Sequence, residues 1–344
     1  VKIFHDLCVC HLVRNYDRTP GSQVALSRPL THADTIVLQM LDPYVGRRLR
    51  KLLFQEPMQL IDGHRRHDAP RLFPYTTDMS SAAPNEPVLL RRDDGPVAIL
   101  TLNRPRAMNA LSGDLIDALQ AEFDRLAQDR QIRCVIVEAA GDRAFSTGHD
   151  LREVSSNTDP AFHRNLLERC ARMMLAVHNL PQPVIAKIQA IATAAGCQFV
   201  GACDLAVAAD SATFGTSGIN NGLFCGTPSV TVGRNVGSKR ALDMLFTGQT
   251  IDAATALRDG LVSRVVPAPE LDRETMALAN RIAEQPPGQI AEGKAMFHKH
   301  MEMDLAQAYA FATDFMVRAM QTEDARAGID AFVNKKPKPD WSGR

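Results

Sequence analysis

The chain has 344 residues, 45% of them hydrophobic and 23% charged, an ordinary globular composition with ample material for a buried core. Lysine plus arginine and aspartate plus glutamate both total 39, so the net charge is zero and no bulk attraction to nucleic acid or anionic membrane is expected. The seven cysteines lack metal-ligand spacing and no apolar run reaches bilayer-spanning length, so the expectations are reduced core thiols, no bound metal and no membrane span.

Residues 1–78 differ from the rest. They hold half of the 10 histidines and a cluster of arginines from Arg47 to Arg71, with poor periodicity apart from a short helical pattern over Ala33 to Leu41. Acids such as Asp6, Asp17, Asp34 and Glu56 are interspersed, which argues against a mitochondrial transit peptide. Met79 and the small residues after it resemble a natural start. The expectation for 1–78 is therefore a poorly structured leader or an over-extended start.

From Val88 the pattern becomes regular. Val88-Leu90 and Val97-Leu102 form two paired strands around the turn Asp93-Asp94-Gly95-Pro96. Ser112 caps an amphipathic helix whose apolar stripe is Leu115, Ile116, Leu119, Phe123 and Leu126. A buried-type strand at Cys134-Val137, a helix near Phe162-Val177 and a strand at Val184-Ile188 follow. The small-residue turn Ala192 to Gly196 then leads into a short helix and the strand Leu205-Ala208. After about Ser238 the pattern is helical, with long amphipathic stretches at 268–284 and 304–321. Alternating strands and helices predict an α/β body, here over 79–267, with a helical C-terminal region over 268–344.

Three loops are rich in small residues: Ala144 to Asp150, Ala194 to Gln198, and Phe214 to Gly218, with Gly222-Leu223-Phe224 beyond. Such residues let backbone approach a ligand, and a helix N-terminus offers free N–H groups to negative charge. Each loop alone is ordinary turn chemistry; their order and spacing give them meaning.

Asn103-Arg104-Pro105, Met108-Asn109-Ala110-Leu111 and Phe145-Ser146-Thr147-Gly148-His149-Asp150 are followed in register by Pro183 to Ala186, Ala195-Gly196-Cys197-Gln198, Cys203 to Ala208, and Ala212-Thr213-Phe214-Gly215. Ala241 to Gly248 and Ala256 to Val262 complete the set. Over about residues 88 to 340 this resembles the enoyl-CoA hydratase/isomerase (crotonase) superfamily. Ser-Thr-Gly-His-Asp and Ala-Ala-Gly-Cys-Gln put the resemblance closest to the subfamily of enoyl-CoA hydratase domain-containing protein three. The fold it implies is a crotonase-like ββα spiral core with a helical C-terminal trimerisation region.

The resemblance implies an oxyanion hole made of the backbone N–H groups of His149, which follows Gly148, and Ala195. Donors fixed before reaction are worth about 3–4 kcal/mol each in the transition state. It further implies that the CoA adenine lies along the backbone around Ser146, Gly148, His149 and Leu151, with Phe332 and Lys335 holding CoA partly across a subunit boundary. A lysine suits a phosphate, although Lys336 and Lys338 beside it fit a solvated terminus equally well.

The departure lies at two positions twenty residues apart, where hydratases of the family carry glutamates. Here they are Gln198 and Gly218. Gln can orient a water but has no proton to exchange, and Gly offers no side chain. Glu153, Asn220, Asn221 and Cys225 lie nearby in sequence and fit structural roles, as do Asp150 and Asp204.

The implied function is acyl-CoA binding in an enoyl-CoA hydratase-like protein of fatty-acid metabolism. Hydration is doubtful, and isomerisation, thioester hydrolysis and decarboxylation stay open. The alternative is a non-catalytic acyl-CoA binder or scaffold. No cofactor is expected, because CoA is part of the substrate, and assembly as a homotrimer or dimer of trimers is implied. The compartment would be the cytoplasm in a bacterium or the mitochondrial matrix in a eukaryote. An unrelated serine hydrolase fails for want of a G-x-S-x-G elbow around Ser217, and Gly233 to Lys239 has the wrong order for a phosphate loop.

Overall fold

A computed structural model describes residues 86–343, and the leader expected over 1–78 lies outside them. The first hairpin joins β1 (Leu89–Asp94) to β2 (Val97–Leu102), paired antiparallel with Asp94 opposite Val97. The turn is tighter than the sequence suggested. Asp93 and Asp94 belong to the strand, because Gly95 takes φ +55° and turns the chain together with Pro96 alone.

β2 opens a sheet of six strands in the order β1, β2, β3 (Cys134–Ala139), β5 (Val184–Ile188), β7 (Leu205–Ala209) and β10 (Arg264–Val266), with every pair after the first parallel. Helices cover both faces, which is why these strands are apolar runs rather than alternating patterns. Val97, Ile99, Cys134, Ile136, Ile185 and Val207 face α8 (Leu271–Ala283) through Leu271, Leu278 and Ala279. Ala98, Leu100, Leu102, Val135, Val137 and Ala186 face the other way. There they meet α1 (Gly113–Leu126) and α3 (Pro160–Asn179).

Both helices start as their sequences dictate. Ser112 Oγ accepts the Leu115 N–H at 3.3 Å, and Asp159 accepts the Ala161 N–H at 2.9 Å with Pro160 next in line. The stripe Leu115, Ile116, Leu119, Phe123 and Leu126 is fully buried, each side chain contributing about 1.5–3 kcal/mol.

A second sheet, of short strands, was not legible in the sequence. Its order is β4 (Ala144–Ser146), β6 (Ile191–Thr193), β8 (Thr213–Gly215) and β9 (Thr250–Asp252). Three-residue strands carry too few side chains for an alternation to show. The expectation that nearly everything past Ser238 is helical is corrected at β9 and β10, each of which adds an edge to a sheet built from earlier residues.

The C-terminal region is otherwise helical: α9 (Pro287–His300), α10 (Leu305–Ala319) and α11 (Glu323–Val333) follow α8. It is anchored by the Lys294 ammonium, which reaches Asp204 Oδ2 at 2.7 Å and the carbonyls of Val177 and Gln182 at 3.0 and 3.2 Å. Asp204 also accepts the Val184 N–H at 2.7 Å, so one carboxylate joins α9 to the start of β5. Among the described residues no helix is long and apolar enough to cross a membrane.

Candidate active site

β4, β6 and β8 lie side by side and parallel, with Ala144 opposite Ile191 and Thr193 opposite Gly215. Their carboxyl ends therefore deliver three loops to one edge: 147–150, Ala194 with α4 (Ala195–Ala202), and Thr216 with the turn Ser217–Asn221. Carboxyl ends of parallel strands are where α/β folds bind ligands. The three loops singled out in the sequence are thus brought together by a sheet that the sequence did not announce.

In the first loop Gly148 takes φ +88°. Its carbonyl accepts the Leu111 N–H at 2.7 Å, and the Asp150 N–H reaches the Leu111 carbonyl at 3.3 Å. These two bonds point to one side. Successive peptide groups of an extended chain alternate, so the His149 N–H between them points to the other. Asp150 braces the loop, accepting from Arg104 at 2.8 Å and capping the Arg152 N–H at 3.1 Å. Burial alone would raise its carboxyl pKa, but the Arg104 guanidinium and these N–H groups hold it below the usual carboxylate range.

In the second loop Ala194 adopts φ +51°, ψ −124°, a backbone conformation that costs a residue with a Cβ about 1–3 kcal/mol and collects at functional sites. It is held at both ends: its N–H donates to the Gly215 carbonyl at 3.0 Å, and its carbonyl accepts the Gln198 N–H at 3.0 Å. Ala195 is the first residue of α4, and its N–H has no partner within the helix.

Two glycines let these loops meet. A Cβ on Gly148 would lie 2.8 Å from the Ala195 nitrogen and 2.8 Å from the Ala194 Cβ, and one on Gly196 would overlap the Ser146 carbonyl. The segments carrying the His149 and Ala195 amides are therefore in contact, as a shared oxyanion site requires.

Gln198 stands one turn along α4 from Ala195. Helical side chains lean toward the helix N-terminus, the end of α4 that carries Ala195. The residue is 4% exposed, and its Oε1 is buried without a hydrogen-bond partner among the described residues. In the third loop Thr216 is fully buried with its Oγ1 likewise unpartnered, while the next hydroxyl, Ser217 Oγ, pairs with Thr193 Oγ1 at 2.8 Å. Nothing in the sequence marks Thr216, one small residue between glycines 215 and 218, as a buried polar group.

Gly218 is closed off. A Cβ there would lie 2.6 Å from the Leu223 carbonyl oxygen and 2.7 Å from Cys225 Sγ, and the Gly218 N–H donates to that sulfur at 3.2 Å. Burial pushes the Cys225 thiol pKa up, so the sulfur is a neutral thiol. Burial lowers the His149 ring pKa, outweighing a raising contribution from the Leu111 backbone, and neither ring nitrogen has a hydrogen-bond partner among the described residues.

The remaining candidates fall in different places. Ser146 is fully buried, its Oγ accepting the Gly148 N–H at 3.3 Å, so it shapes the loop from inside. Leu151, at the start of α2 (Leu151–Ser156), is 53% exposed. Phe332, near the end of α11, is 86% exposed, and Lys335 lies just beyond it at φ +52°. Among the described residues no hydrogen bond joins either to the Gly148 loop. Glu153 accepts the Gly113 N–H at 2.9 Å and Asn220 donates to the Gly248 carbonyl at 3.2 Å, both structural contacts.

Residues 92–344 match the family model described as enoyl-CoA hydratase/isomerase. The chain belongs to that family. It is 42% identical over 252 residues to the Mus musculus protein named enoyl-CoA hydratase domain-containing protein 3, mitochondrial, covering 73% of this chain and 83% of that one. Among solved structures it is similar to an enoyl-CoA hydratase from Mycobacterium smegmatis, at TM-score 0.73 and 46% identity over 74% of this chain and 99% of the other. It is likewise similar to human enoyl Coenzyme A hydratase domain-containing protein 3, at TM-score 0.72 and 40% identity over 74% and 100%. The fold is accordingly that of the crotonases, with two mixed sheets and a helical C-terminal region.

Proposed function

We propose that this enoyl-CoA hydratase/isomerase-family chain binds a CoA thioester with the acyl carbonyl oxygen between the His149 and Ala195 amides, and that it does not hydrate enoyl-CoA by an acid/base pair. The observation that carries this reading is the approach of Gly148 to the Ala195 nitrogen. Two preset backbone donors beside a helix N-terminus suit an enolate or tetrahedral oxyanion. Adding water to a double bond also needs a group to ionise the water and one to protonate carbon. Gln198 can only orient, and the Gly218 position is filled from behind by Leu223 and Cys225.

The second reading, a non-catalytic acyl-CoA binder of fatty-acid metabolism, is favoured by that same filled position. One experiment tests what the two readings share. Purified protein is titrated with butyryl-CoA by calorimetry and assayed for crotonyl-CoA hydration. Saturable binding with hydration no faster than buffer is expected. A hydration rate characteristic of an efficient hydratase would overturn the proposal.

CoA would run past Gly148 and Leu151, with Phe332 and Lys335 supplied by a neighbouring copy in a homotrimer or dimer of trimers. The exposed Leu305, Tyr309, Met316 and Phe332 on α10 and α11 support such an assembly, because apolar surface of this extent favours burial against a partner. A stable monomer in light scattering would count against it. The compartment follows the source, the mitochondrial matrix in a eukaryote or the cytoplasm in a bacterium.

A further inference from the structure

The motif Met108-Asn109-Ala110-Leu111 lies outside the three loops of the proposed hole, yet its asparagine is unusually constrained. Asn109 is 1% exposed and takes φ +51°, a positive backbone angle that asparagine adopts more readily than most residues with a Cβ. Its side chain is fully spent. Oδ1 accepts the Arg104 N–H at 2.9 Å, and Nδ2 donates to the carbonyls of Ala140 and Ala144, each at 2.9 Å. The first bond closes the turn 104–109 on itself, together with the Asn109 N–H to the Arg104 carbonyl at 2.9 Å. The other two clamp that turn to both ends of the β3–β4 connection. Two residues on, Leu111 donates to the Gly148 carbonyl at 2.7 Å and accepts the Asp150 N–H at 3.3 Å, with His149 between. One side chain therefore holds both β4, which runs into the first loop, and the segment whose Leu111 braces it.

We infer that Asn109 is a positioning residue for the proposed hole: through Leu111 it sets the direction of the His149 N–H, with no polar atom of its own left for a ligand. The inference rests on the reading of the hole and adds to it the residue that aims one of its two donors. A preset donor polarises a carbonyl only while its direction is fixed before the ligand arrives, so the residue that fixes it acts at a distance. Gln189 is the comparison that separates aiming from plain stability. Its Nε2 contacts the carbonyls of Ala139, Gly141 and Ala144 at 3.3, 3.0 and 3.1 Å, so it too holds the β3–β4 connection. None of those contacts reaches segment 104–111. Losing Gln189 should loosen the connection without turning Leu111, whereas losing Asn109 should do both.

The test reads the carbonyl stretch of butyryl-CoA, isotope-labelled at the thioester carbon, by infrared difference spectroscopy on the full chain at saturating ligand. Hydrogen bonds from the two amides lower that stretch, and a change in overall stability alone does not move it. Asn109→Gly keeps the positive φ and drops the side chain, while Asn109→Asp keeps the acceptor for Arg104 and removes both donors. Gln189→Leu is the control, and urea unfolding accompanies each variant. The lowering seen in the wild type should fall by about half in both Asn109 variants, the share of one of two donors. It should be unchanged in Gln189→Leu, although all three variants unfold more easily. A full lowering in either Asn109 variant overturns the inference and leaves the hole standing, as does an equal loss in Gln189→Leu. If Asn109→Gly does not fold, Asn109→Asp decides alone. Both unfolded where Gln189→Leu is folded overturns the inference, Asn109 then serving stability only. A folded Asn109 variant that binds no butyryl-CoA overturns it too, because one misaimed donor weakens binding without abolishing it. No lowering in the wild type removes the hole and the inference together.

Discussion

Gly148 and Ala195 are in contact through space, with 46 residues of chain between them: a Cβ on the glycine would stand 2.8 Å from the alanine nitrogen. The first prediction follows from this approach. Gly148→Ala should abolish acyl-CoA binding and lower unfolding stability by about 2 kcal/mol, from the φ of +88° and the steric overlap together. Gly233→Ala, on α5 (Gly226–Asn235) with nothing within 4 Å of the new Cβ, should leave binding intact and stability unchanged or raised by up to about 1 kcal/mol. Calorimetric titration and urea unfolding of both variants check this; normal binding by the first would break the link between close approach and function.

Placing carboxylates at positions 198 and 218 should not confer hydration. In Gln198→Glu with Gly218→Glu, the second side chain has to displace the Leu223 carbonyl or the Cys225 sulfur. The expected outcome is a less stable protein with crotonyl-CoA hydration still at the buffer rate. A gain of about a hundredfold, within what general acid/base catalysis supplies, would show that the loop opens readily.

Lys294 should be the most sensitive position of the C-terminal region. Its ammonium is nearly buried among Asp204 and two carbonyls. Lys294→Met leaves the partly buried Asp204 with the Val184 N–H and a distant His298 at 3.5 Å. Breaking one side of a buried pair costs about 3–5 kcal/mol, measurable as a lower urea midpoint. A loss below about 1 kcal/mol would mean that the anchor lies elsewhere.

Acid should destabilise the protein through His178. Its ring stacks on His298 with centroids 3.8 Å apart, near Lys294, Asp204 and Glu302. Burial first, then the charges of His298 and Lys294, lower its pKa, outweighing the two acids. The folded state therefore takes up the proton less readily than the unfolded chain, whose histidine titrates near about 6.5. Stability should be full above that value and fall as pH drops through it toward the depressed folded pKa. His178→Gln should flatten the dependence measured by urea unfolding between pH 7.5 and 5, whereas an unchanged slope would clear this histidine. His149, buried and likewise lowered, adds a contribution of the same sign that the variant retains.

The sequence by itself determined what depends on local periodicity and short motifs. These are the stripe of α1 behind Ser112, the apolar strands β2, β3, β5 and β7, the glycine-rich loops, and the absence of carboxylates at Gln198 and Gly218. Each follows from side-chain spacing or residue identity, which a chain carries with it before folding. Tertiary structure decided the rest. Strands of three residues are too short to signal themselves, so only folding sets β4, β6 and β8 side by side and turns three separate loops into one edge. Whether a buried group finds a partner also depends on every segment packed around it. That is why Asp204 became the anchor of Lys294 while Gln198 and Thr216 were left with polar atoms that the chain itself does not satisfy.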